Sequence, residues 1–140
     1  MVNRQQLATA CEHLFRHAGG ATAQSGVYAE LREDLRALLS SGIDLSEGEL
    51  PIVASVVDEN HWLVTTTDRV AFCAGGKTMS FPFSQVSAVH SLALEDGNVE
   101  REDIIVLIVD GQRYEVQVEA GYPLGGLWNV LRRLQRAWGN

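Results

Sequence analysis

The sequence has few of the residues that mark specialised classes of protein. Among 140 residues there are two cysteines, three prolines and 7% aromatic side chains. Cys11 and Cys73 are far apart with apolar neighbours, as free buried thiols are, so no disulfide framework is expected. The longest apolar run, residues 104–109, is too short to span a bilayer, and no signal-peptide core follows Met1. We therefore expect one soluble, cytoplasmic domain.

Positive charge is scarce and unevenly placed. Lysine occurs once, as Lys77 in an expected hairpin turn, so a mechanism that needs a catalytic lysine has a single candidate. Residues 91–119 carry a net charge of −6, whereas residues 120–140 carry +3 and no acidic residue. An acidic surface repels phosphate backbones and anionic headgroups. The overall charge of −7 therefore argues against nucleic acid and membranes as primary partners.

Residues 1–50 are predicted to form an N-terminal helical extension. Apolar residues recur at helical spacing from Leu7 to Ala18 and again from Tyr28 to Leu39, and glycines end both segments. Residues 19–26 between them are small or polar and are typical of a linker. The two short helices are expected to belong to one compact folding unit with residues 51–140. A homodimer through these helices is a further prediction.

Residues 51–140 are predicted to form seven strands and a final helix. From Pro51 the apolar period changes to two, and strands are expected at 52–57, 62–66, 70–74, 78–83, 88–94, 104–109 and 113–119. Trp62 and Phe72 are expected to pair across a hairpin, and Asp110 with Gly111 favours a type I′ turn. A broad apolar stripe after Pro123 predicts the closing helix. The fold class is α+β.

One stretch of the strand region resembles a known family. Residues 62–72, WLVTTTDRVAF, and 80–89, SFPFSQVSAV, are similar to a strand pair of bacterial PH-like (pleckstrin-homology and GRAM-like) domains. Over residues 51–138 the resemblance implies a PH-like, seven-stranded antiparallel bent sheet or barrel, with the C-terminal helix at one open end. It also implies a binding scaffold, because this architecture hosts lipid, peptide and protein binding.

The resemblance does not extend to the best-known ligand of the family. Phosphoinositide-binding members place lysine and arginine in the turn between the first two strands. This chain has Asp58, Glu59 and Asn60 there. The reversed charge argues against a lipid headgroup as the ligand.

Motifs that carry chemistry are scarce. The sequence has no nucleophile elbow, phosphate-binding loop or Cys-x-x-Cys pair. His13 and His17 have the spacing of a two-histidine metal grip but lack a further ligand cluster, so exposed helix histidines are the preferred interpretation. His90 is interpreted as a packed histidine, and Asp68 with Arg69 as part of the hairpin scaffold. We predict no enzyme, metal site or cofactor.

The most unusual predicted surface feature is a group of acidic residues between the strands expected at 88–94 and 104–109. The group consists of Glu95, Asp96, Glu100, Glu102 and Asp103. They form either a solvated loop that protects strand edges or a docking patch for a basic protein. The second interpretation makes them the predicted partner-binding residues.

These observations favour a non-enzymatic, protein-binding module of the bacterial cytosol. A small acidic chain of this kind fits an immunity or antitoxin-type protein that binds and neutralises a basic toxin. Such a protein must cover the cationic cleft of the toxin, and acidic residues complement that charge. The alternative is a PH/GRAM-like membrane or lipid adaptor that reads headgroups through Arg132, Arg133 and Arg136. A small enzyme ranks third.

Overall fold

The structure, a computed structural model, describes residues 2–91 and 103–139. Within these residues the α+β fold has three α-helices and eight strands. The helices are α1 (Arg4–His17), α2 (Glu33–Ser41) and α3 (Tyr122–Ala137). The strands are β1 (Ser25–Val27), β2 (Pro51–Asp58), β3 (His61–Thr66), β4 (Arg69–Ala74), β5 (Lys77–Pro82), β6 (Val86–Ser91), β7 (Ile104–Val109) and β8 (Gln112–Gln117). No helix in the described residues is long and apolar enough to cross a membrane.

The strands form two antiparallel sheets. One has the order β1-β2-β3-β4-β5 and the other β6-β7-β8. A strand overlaps each of the seven ranges predicted after Pro51, although residues 92–94 of the fifth range lie outside the described residues. The strands form two sheets and not one closed sheet, so the barrel prediction is not confirmed. Pro82 lacks an N–H to continue the ladder and ends β5, and a 3-10 turn at Phe83–Gln85 leads into β6.

β1 lies partly within the predicted linker. It pairs with residues 53–55 of β2. Glu119 Oε1 accepts hydrogen bonds from Ser25 Oγ at 2.5 Å and from Thr22 Oγ1 at 2.6 Å, and the Ser25 and Ser55 hydroxyl oxygens are 2.8 Å apart. Because this strand has three residues and is held by polar contacts with distant segments, no apolar alternation could mark it.

α1 and α3 pack side by side over the main hydrophobic core. Phe15 of α1 is fully buried beside Gly126 of α3, where an ideal Cβ would lie 2.8 Å from Phe15 Cδ2. At the opposite end of the pair, Leu7 lies near Ala137, so the two helices run antiparallel. The same core contains apolar side chains from both sheets, among them Val53, Leu63, Ile105 and Leu107.

α2 covers the outer face of the five-stranded sheet. Leu39 packs there with Trp62 and Cys73, whereas Leu63 and Phe72 face the main core. In the β3–β4 register, Trp62 is opposite Cys73 and Leu63 is opposite Phe72. The predicted pairing of Trp62 with Phe72 is therefore wrong, because the two rings lie on opposite faces of the sheet.

A buried ion pair connects the β3–β4 hairpin to the loop before β2. The Glu49 side chain is 1% exposed and accepts hydrogen bonds from Arg69 Nε at 2.8 Å and Nη2 at 2.9 Å. The Ser46 N–H donates at 2.9 Å, and the Thr66 hydroxyl also donates. Burial alone would raise the pKa of Glu49, but these hydrogen bonds outweigh burial and hold that pKa below its usual value.

The β3–β4 turn also contacts both terminal helices. Asp68 accepts hydrogen bonds from Arg4 Nε at 2.9 Å and Nη2 at 2.8 Å, which lower the pKa of Asp68. Trp138, directly after α3, donates its indole N–H to the Thr67 carbonyl at 2.8 Å. The charged groups of Asp68 and Arg69 are thus engaged within the chain.

Candidate functional site

Most of the predicted acidic docking patch cannot be placed in the fold. Four of its members lie outside the described residues: Glu95, Asp96, Glu100 and Glu102. Asp103 is half-buried, and its Oδ2 accepts a hydrogen bond from Gln117 Nε2 at 3.1 Å while its carbonyl accepts one from the Val118 N–H at 2.8 Å. Asp103 therefore holds the start of β7 beside the end of β8, and the patch as a whole stays a prediction.

The two histidines of α1 form a pair on its exposed side. The ring centroids of His13 and His17 are 6.0 Å apart, with 17° between the ring planes. Within residues 2–91 and 103–139, no group of three or more His, Cys, Asp or Glu side chains could hold a metal ion. Two histidines alone provide fewer protein ligands than the three or four that zinc sites use.

A groove between the edge of the three-stranded sheet and the last helix is the strongest candidate for a binding site. Its volume is about 320 Å³. Ser87, Ala88, Val89 and His90 of β6 line it on one side, and Trp128, Arg132 and Gln135 of α3 line it on the other. It therefore has a strand wall and a helix wall.

Over residues 87–90, no described strand covers the outer backbone edge of the strand wall. In the described part of the chain, β6 pairs with β7 and has no strand on its other side. An edge strand leaves about half of its backbone N–H and C=O groups without a partner in the sheet. Gln135 Nε2 donates to the Ser87 carbonyl at 2.7 Å and so occupies one of these groups. Ala88 and His90 are half-buried beyond this point.

The helix wall is positively charged. Arg132 follows Trp128 by four residues, and its Cζ lies 4.8 Å from the centroid of the Trp128 ring, a cation–π contact. Arg136 is one helical turn further along α3, next to Gln135, and does not itself line the groove. Arg132 and Arg136 are exposed, and neither forms a salt bridge within the described residues. The residues that line the groove include no Asp or Glu. The wall can therefore attract negative charge.

The indole N–H of Trp128 is a further feature of this wall. Its Nε1 atom is buried and has no hydrogen-bond partner among the described residues. A buried donor without an acceptor is costly, so most such groups in proteins are paired. Within the described residues, Trp128 therefore carries an unpaired buried donor.

The sequence patterns indicate this region only in part. Trp128 belongs to the apolar stripe after Pro123, and Arg132, Arg133 and Arg136 are predicted to act together on a headgroup, whereas no pattern marks Gln135. In the structure, Arg133 lines a separate groove beside α1, so the three arginines do not form one surface. The four-residue spacing of a tryptophan and two arginines is a signal that could have identified the helix wall.

Comparisons with known proteins do not assign a function to the groove. No protein-family model matches the chain, and searches of curated proteins and solved structures find no significant similarity. Its function must therefore be inferred from the groove itself.

Proposed function

We propose that this chain is a non-enzymatic protein-binding module of the bacterial cytosol, and that it binds an extended segment of a partner protein between β6 and α3. The edge of β6 at residues 87–90, which no described strand covers and which lies beside α3, supports this proposal. A segment laid beside β6 would extend the sheet through main-chain hydrogen bonds, which is the mode of recognition called β-augmentation. The side chains of α3 would then contact the side chains of the segment.

The PH-like architecture is part of the same proposal. Four strands (β2–β5), three strands (β6–β8) and a terminal helix follow one another in the order expected for that architecture. β1 and the first two helices would be additions to it. The architecture alone does not determine the ligand, because PH-like domains bind lipids, peptides and proteins.

Site-specific photo-crosslinking tests the groove. A photoreactive amino acid replaces Ala88 in the groove or, as a control, Thr78 on the exposed edge strand β5 of the other sheet. We expect irradiation of the native host cells to link position 88, but not position 78, to one continuous segment of a partner, which mass spectrometry identifies. A synthetic copy of that segment should compete. No product from position 88, or equal products from both positions, would overturn the proposal.

The acidic segment supports a second candidate, an immunity or antitoxin-type protein that neutralises a basic toxin. Residues 91–119 carry a net charge of −6. Attraction between this charge and a basic partner would increase the association rate and would weaken as the salt concentration rises. To test this candidate, the glutamates and aspartates of the predicted patch are replaced together by glutamine and asparagine. The affinity of this variant for the crosslinked partner is then measured at low and at high salt. Affinity that neither the substitutions nor salt reduces would refute this candidate.

The membrane-adaptor alternative has less support. The β2–β3 turn is acidic, and Asp58 Oδ1 lies 2.9 Å from His61 Nδ1. Arg132 lines the groove beside β6 whereas Arg133 lines a separate groove beside α1, so the arginines of α3 do not form one flat basic surface. Binding to anionic vesicles is included as an outcome of the experiment below.

A further inference from the structure

We infer that the segment bound in this groove carries acidic side chains at alternate positions, which pair with Arg132 and Arg136 of α3. The inference rests on the proposed function, since it specifies the chemistry of the segment that would extend β6. It follows from the spacing and charge of the two arginines and from the contact of Arg132 with Trp128.

The spacing of the two arginines matches that of an extended chain. Residues four apart on a helix are separated by about 6 Å along its axis and lie on the same side. In a strand, every second residue is on the same face, at intervals of about 6.6–6.8 Å. Side chains at positions i and i+2 of a bound segment could therefore reach Arg132 and Arg136 together.

The charge of the wall has no partner within the described chain. Five other arginines each form a salt bridge with Asp or Glu: Arg4, Arg16, Arg32, Arg69 and Arg113. Arg132 and Arg136 form none there, although the whole chain has 18 acidic residues. Among the described residues, the two exposed guanidinium groups therefore have no acidic partner, and their positive charge favours anionic groups such as carboxylates.

The conformation of the Arg132 side chain is also restricted before any ligand binds. Its guanidinium group lies over the Trp128 ring, which limits the conformations of a long side chain. A guanidinium group can donate two parallel hydrogen bonds to one carboxylate, and a side chain that is already ordered loses less entropy on binding. These properties favour an aspartate or glutamate at the position opposite Arg132.

Fluorescence anisotropy with defined peptides tests the inference on the full chain. The probe is a fluorescein-labelled octapeptide of four Val-Glu repeats, and the matched peptide has Val-Gln repeats. Two solvent-exposed charge pairs should make the Val-Glu peptide bind about tenfold more tightly. The double variant Arg132→Gln, Arg136→Gln should remove this preference. Arg133→Gln removes the same charge from the other side of α3 and should leave the preference intact.

Amide chemical shifts separate failure of the inference from failure of the proposed function. If both peptides shift the β6 signals and bind equally well, strand addition stands and the acidic preference is overturned. If neither peptide shifts them, the inference is overturned, and crosslinking at position 88 tests the proposed function independently. Binding to phosphatidylserine vesicles that the double variant abolishes, without peptide binding, would also overturn the inference in favour of a membrane ligand.

Discussion

Replacing Arg69 by methionine should destabilise the protein strongly, because it leaves the Glu49 carboxylate buried without its charged partner. The Glu49 side chain is 1% exposed and that of Arg69 is 22% exposed. Removing one partner of a buried ion pair typically costs about 3–5 kcal/mol. The Ser46 and Thr66 donors stay in place, so we expect about 3 kcal/mol, or a fall in Tm of about 10 °C for a chain of this length.

The effect should depend on pH in a defined direction. In the native protein the lowered pKa of Glu49 stabilises the fold at pH values above the pKa of the unfolded chain, and this contribution is lost as pH falls through the folded pKa. Without Arg69, burial should instead raise the pKa of Glu49, so acidification would protonate and relieve the isolated carboxylate. The cost of Arg69→Met should therefore be largest near neutral pH and should shrink toward about pH 4.

Urea denaturation at both pH values measures these free energies. The double variant Arg69→Met, Glu49→Gln should be more stable at neutral pH than Arg69→Met alone, because it removes the isolated charge. Arg113→Met is a matched control: Arg113 and Glu115 form a pair in which both side chains are nearly half exposed, and such pairs contribute little. A cost below about 1 kcal/mol for Arg69→Met, or one that does not change with pH, would refute this reasoning.

Three further predictions test the packing of the helices and the core. Gly126→Ala places a methyl group 2.8 Å from Phe15 Cδ2 and should cost about 1–3 kcal/mol in urea denaturation, and Phe15→Leu in the same chain should recover part of this loss. Trp138→Phe removes the hydrogen bond to the Thr67 carbonyl and should cost about 1 kcal/mol in the same assay; no change would contradict a role for this bond. Burial raises the pKa of Cys11 to about 12, so its thiol should react with Ellman's reagent only after unfolding, and rapid reaction of the native protein would contradict the structure.

Features that depend on neighbouring residues were predictable from the sequence. The type I′ turn is confirmed by positive φ values of 50° at Asp110 and 79° at Gly111. The predicted start of the second helix, Tyr28, was less accurate: Tyr28–Glu30 forms a 3-10 turn, and α2 begins at Glu33. Helix ends depend on capping and packing as well as on apolar spacing, which explains the shift.

Tertiary packing changed the interpretation of several strands. Alternation suggested strands with one buried face, but α2 covers the outer face of the larger sheet and buries both sides of β3. A strand buried on both faces does not reveal which apolar residue points in which direction. The pairing of Trp62 with Phe72 was wrong for this reason, and β1 was missed because it is too short to show a pattern.

The sequence by itself determined the α+β class, the positions of the later strands, the type I′ turn and the uneven distribution of charge. All of these depend on residues within a few positions of one another. The tertiary structure alone decided the division into two sheets, the Glu49–Arg69 pair and the groove between β6 and α3. The groove joins Ser87 to Gln135, 48 residues further along the chain, and Arg4 reaches Asp68 across 64 residues. Contacts over such distances depend on how complete elements pack, which no local pattern encodes.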